Sequence, residues 1–158
     1  MPHPFSRLAY AQSTTLLAGT LWAWGNTIRD LIRFYIFEGT LLKITNCVIP
    51  NPFTQPCLYG ALGFLAAFVW SLIILRRNTG RGQVPLTFFL YGGTIFAWAN
   101  VAREFATFYA SAPGTAVGCS GTAITNPFLT PCFVGATLFL LSAAIASFIP
   151  SPRSHHGQ

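Results

Sequence analysis

The chain has 158 residues, of which 53% are hydrophobic and only 8% charged, against about 25% charged in a typical soluble domain. So few charges cannot clothe a water-facing surface, which excludes an ordinary soluble enzyme and points to lipid as the solvent. The net charge of +6 does not indicate nucleic acid. Its basic residues Arg7, Arg76, Arg77, Arg81 and Arg153 flank the apolar segments on one side, the positive-inside distribution of a membrane protein.

The first apolar segment runs from Ala11 to Tyr35 and is too long for a signal-peptide core, so it is read as an anchor. Within it Gly19, Ala23, Asn26 and Asp30 recur at helical spacing and share one face. Small residues four apart let helix backbones approach closely in lipid, so Gly19 and Ala23 are expected at a packing face. Arg29 stands beside Asp30, with Arg33 one turn on. Ionisable groups inside a span are costly and usually mark function; near the outer edge they can snorkel towards water.

Residues 38–56 form an outer loop carrying Cys47 and the run Asn51, Pro52, Phe53, Thr54, Gln55, Pro56 and Cys57. Proline fixes its own φ and keeps the preceding residue out of the helical region, while Pro56 suits the first position of a helix. The run reads as a shaped helix entry, with Phe53 as an exposed anchor for a partner. The second span, Leu58 to Leu75, is uncharged and stops at Arg76 and Arg77; its length reaches about 27 Å, close to the hydrocarbon thickness.

After a short cytoplasmic turn the pattern returns. Thr94 to Glu104 (TIFAWANVARE) lies over Thr20 to Asp30 (TLWAWGNTIRD) at an offset of 74. Asn126 to Cys132 (NPFLTPC) lies over Asn51 to Cys57 (NPFTQPC) at an offset of 75, and Gly135 and Ala136 over Gly60 and Ala61. The third span, Leu86 to Tyr109, therefore carries Gly93, Ala97, Asn100, Arg103 and Glu104 where the first carries Gly19, Ala23, Asn26, Arg29 and Asp30. The second outer loop, 110–130, supplies Cys119, Asn126, Pro127 and Phe128, and Pro131 and Cys132 open the fourth span, which ends at Ile149.

These matches predict an all-α integral membrane protein of four spanning helices, built from two parallel tandem helix–loop–helix repeats, 1–79 and 80–158, with both termini cytoplasmic. Each unit holds two spans, so both enter the membrane with the same orientation, related by an axis along its normal. An even number of cysteines on the outer side reads as two disulfides, and duplication favours Cys47–Cys57 and Cys119–Cys132. A dithiol relay is the alternative role, although the close C-x-x-C pair that makes a disulfide exchangeable is absent. Asn26, Arg29, Asp30, Asn100, Arg103 and Glu104 are expected to form a polar cluster at the repeat interface, either knitting the repeats together or holding an anionic headgroup, quinone or small solute.

No catalytic set is present: the histidines His3, His155 and His156 all lie in the tails, and no metal-ligand spacing or phosphate-binding glycine loop occurs. The leading expectation is a non-catalytic membrane subunit, accessory to a larger complex or a self-associating scaffold. Its partners would be membrane lipids, other membrane subunits or further copies of itself, and its setting a bacterial inner membrane with the cysteine loops facing the periplasm. No cofactor is predicted, although bound lipid or quinone is compatible with the repeat interface. The alternatives are an oligomeric transporter or channel lined by Asn26, Asp30, Asn100 and Glu104, and a thiol–disulfide redox protein.

Overall fold

The computed structural model describes residues 4–40, 51–77, 82–112, 114–118 and 121–149. Four α-helices follow one another, α1 (Pro4–Glu38), α2 (Pro56–Arg77), α3 (Gln83–Ala110) and α4 (Pro131–Ser147), and no strand occurs among the described residues. The proposed boundary between units at 79 and 80 lies outside them.

Local chemistry accounts for the helix limits. Proline stands at the start of α2 and of α4, where its missing N–H costs nothing. Arg76 and Arg77 occupy the last turn of α2, where cations complement the helix dipole. Gly39 ends α1 with φ 69, its amide donating to the Tyr35 carbonyl at 2.9 Å; glycine tolerates this left-handed cap because it has no Cβ.

α1 packs along α2 and α3 along α4, α1 also lies against α4, and α2 meets α3 over a shorter stretch. The core is built from Leu16, Phe64, Ala67, Ile74, Leu86, Leu90, Phe139, Ala143 and Ala146. Polar residues are buried inside: Ser13 Oγ donates to Ser71 Oγ at 3.1 Å and Gln83 Nε2 to Gln12 Oε1 at 2.9 Å. Large apolar residues face outward, with Ile36 77%, Phe88 73% and Ile95 72% exposed. That inversion suits a lipid exterior, where interhelical hydrogen bonds sit inside and hydrocarbon is the solvent.

Two helices, α2 and α3, are long and apolar enough to cross a membrane, where four such segments were expected. The shortfall has a local cause in each remaining helix. α4 spans 17 residues, because the chain leaves the helix at Phe148 before reaching Ile149. α1 is long enough, but Gln12, Ser13, Thr14, Thr15 and Thr20 dilute its uncharged stretch, and Asn26, Arg29, Asp30 and Arg33 follow it.

Candidate functional site: a cleft at the ends of α2 and α4

The small residues of α1 and α3 receive aromatic rings from the neighbouring helices. Gly19 faces the ring of Phe64, and a Cβ on Gly93 would meet Phe139 Cε1 at 2.7 Å. The stripe therefore packs α1 on α2 and α3 on α4. Phe64 and Phe139 then meet each other, ring centroids 3.9 Å apart at 32°.

Two helical turns nearer the helix starts, Cys57 Sγ lies 3.4 Å from Cys132 Sγ. A disulfide needs about 2.05 Å, and no cysteine pair is bonded among the described residues. Cys47 and Cys119 lie outside those residues, and with them one member of each expected pair, Cys47–Cys57 and Cys119–Cys132. Among the described residues the cysteine contact joins the two second helices. The reason is positional: α2 and α4 start side by side, so the residues following their first prolines face each other.

Between the cysteines and the phenylalanines lies a cleft with about 530 Å³ of atom-free space, part of it open to the surroundings, with an almost wholly apolar wall. Its lining is made of matched positions. From α2 and α4 come Pro56 and Pro131, Cys57 and Cys132, Gly60 and Gly135, Ala61 and Ala136, and Phe64 and Phe139, each pair 75 apart. From α1 and α3 come Trp22 and Phe96, Ala23 and Ala97, and Asn26 and Asn100, each pair 74 apart. Every residue of the wall has its counterpart in the wall. Gly60 and Gly135 have nothing within 4 Å of the position a Cβ would take, so the cleft stays wide at its middle.

The expected polar cluster divides into three parts. Asn26 and Asn100 line the cleft, each donating from Nδ2 to the carbonyl one turn back, Trp22 O and Phe96 O, at 2.8 Å. Asp30 and Glu104 are buried, 8% and 5% exposed, and neither belongs to the cleft wall. Glu104 Oε2 accepts from Thr130 Oγ1 at 2.9 Å, a bond to the residue that precedes α4. Arg29, Arg33 and Arg103 are exposed. Glu104 thus braces the entry to α4, and rings, small residues and thiols meet between the matched helices.

Asparagine shapes the segments that lead into α2 and α4. Asn51 Oδ1 accepts from Phe53 N at 2.8 Å and Asn126 Oδ1 from Phe128 N at 2.9 Å, closing side-chain turns that mimic backbone ones. Each leads into a short 3-10 turn, Pro52–Thr54 and Pro127–Leu129, with Pro52 and Pro127 buried. Phe53 is exposed, whereas Phe128, although also exposed, stacks edge-on against Phe105 with centroids 5.0 Å apart. Above Glu104 a small hairpin pairs Val117 with Ala123, and a Cβ on Gly118 would come within 2.7 Å of Glu104 Oε1.

Sequence reasoning singled out Ala23, Asn26, Pro56 and Cys57 with their counterparts, yet passed over Phe64, Phe139, Trp22 and Phe96 as walls. The offsets of 74 and 75 were the signal that would have found them. Among the described residues no group of three or more His, Cys, Asp or Glu is placed to hold a metal ion. No protein-family model, curated protein or solved structure matches the chain.

Proposed function

We propose that this chain is a four-span membrane protein of two parallel repeats which holds a lipophilic molecule, a lipid chain or a quinone, in the cleft between them. The single observation that carries this reading is the lining: all of its residues fall into matched pairs, which supports a cleft on the axis relating the two units. Arg76 and Arg77 at the end of α2 support a topology with the start of α2, and with it the cleft, in the outer half of the membrane. The wall is apolar, and its polar side chains are the two asparagine amides and the two thiols, a lining suited to binding with a few orienting contacts. The protein then acts as a binding subunit, alone or within a larger membrane assembly. Asp30 and Glu104 are outside the cleft wall, which weighs against an ion path through it.

Gly60 and Gly135 supply the test, because both open onto empty space. Gly60→Leu with Gly135→Leu starts each new side chain in open space, is expected to fill the cleft, and improves helix propensity. Native mass spectrometry of the full chain extracted from its membrane in mild detergent is expected to show a retained lipophile, lost in the double variant. An empty wild-type chain, or equal retention in the variant, would sink the proposal.

A further inference from the structure

Two sulfurs approach each other in the cleft wall. The Cys57 and Cys132 thiols are 3.4 Å apart, each carried on the first turn of a different helix. Bond formation asks them to close by roughly 1.3 Å, within reach of a small adjustment of the two helix starts. Both thiols belong to the apolar cleft wall, so a reagent that reaches them through the cleft must itself be lipophilic. Asn26 and Asn100 stand in the same wall. After each donates one amide hydrogen to its own helix, it keeps a second N–H and its Oδ1, a donor and an acceptor able to meet a carbonyl or a hydroxyl.

We propose that Cys57 and Cys132 form a dithiol–disulfide couple whose oxidant is a membrane quinone seated in the cleft. This rests on the reading of the cleft as a lipophile site and adds chemistry to it. One thiol loses its proton and adds through sulfur to a ring carbon of the quinone. The second thiolate attacks that sulfur, forming the Cys57–Cys132 bond while the sulfur–carbon bond breaks and its electron pair returns to the ring. The ring takes up the two protons the thiols released and leaves as a quinol. Two S–H bonds are lost, one S–S bond is gained, and two electrons and two protons pass to the quinone.

The test uses the full chain in mild detergent, reduced and freed of reductant, with a short-chain benzoquinone as probe. One quinol per chain is expected, together with a Cys57–Cys132 cross-linked peptide on mapping. Cys57→Ser and Cys132→Ser should each lower quinol yield at least tenfold, and Cys47→Ser with Cys119→Ser should leave it intact. Mapping the unsubstituted chain gives an answer even where a serine variant fails to fold. Quinone that binds, by equilibrium dialysis, but leaves the thiols unreacted overturns the redox step and spares the cleft reading. Quinone that does not bind overturns the redox step through the cleft, and retention of a lipid in the native extract decides the cleft reading separately. Oxidation that instead joins Cys47 to Cys57 or Cys119 to Cys132 also overturns it.

Discussion

At Thr130 a single hydroxyl serves three groups. Its Oγ1 lies 2.9 Å from Glu104 Oε2 and 3.0 Å from the Pro127 carbonyl, and receives the Phe133 amide at 3.4 Å. It caps α4 and anchors the only acid of the second half of the chain. Thr130 is 8% exposed, so removing the hydroxyl leaves a buried carboxyl without that partner. Thr130→Val keeps the shape and is expected to cost about 1–3 kcal/mol, the sum of a lost cap and a buried group less well satisfied. Thr130→Ser should retain most of the stability. Thermal unfolding of both variants in the same detergent checks this, and a Val variant as stable as the Ser one would remove the role. The cap was legible in the sequence, since threonine directly before a Pro-led apolar run is a helix-start signal. The bond to Glu104 was not, because the acid lies 26 residues away and its spacing marked a helix face without indicating what that face meets.

Helices show the same division between what spacing states and what packing decides. A stripe of Gly19, Ala23, Gly93 and Ala97 announces close approach, but a groove of small residues accepts any knob of suitable size. Phe64 and Phe139 are those knobs, and nothing in their immediate neighbours in the sequence distinguishes them from the outward-facing Phe88. The entries to α2 and α4 were readable for the opposite reason: asparagine, proline and the turn they form act within a few residues. The bridge between Val117 and Ala123 is too short to carry a strand pattern, and a local mark beside it is Gly121 with φ 69. Packing of the stripe predicts the effect of a larger side chain. Gly93→Val drives two methyl groups into the Phe139 ring, and overpacking of this kind costs about 1–3 kcal/mol. Gly92→Ala one position earlier, with nothing within 4 Å, is expected to be neutral. Combining Gly93→Val with Phe139→Leu should recover part of the loss, whereas additive losses in the double variant would mean that the two residues do not meet.

Across the whole molecule the matched halves were visible in the sequence as two offsets, and the cleft is where those offsets converge in space. Its existence was not readable, because a void depends on how far α2 and α4 stand apart between their cysteines and their phenylalanines. Orientation in the membrane, by contrast, rests on charge and is testable without reference to the cleft. The parallel four-span arrangement puts Phe53 and Leu129, both exposed, on the outer side and Arg77, also exposed, on the inner side. In a chain whose four cysteines are replaced by serine, Phe53→Cys and Leu129→Cys should react with a membrane-impermeant maleimide applied to intact cells. Arg77→Cys should react only after the membrane is opened. An antiparallel pair of units would put Phe53 and Leu129 on opposite faces, so labelling of one without the other refutes the parallel repeat. Labelling of Arg77→Cys alone from outside would keep the repeat and reverse its orientation, placing the cleft and its thiols in the inner half of the bilayer. The positive charge of Arg76 and Arg77 at the end of α2 is the physical reason to expect the first outcome.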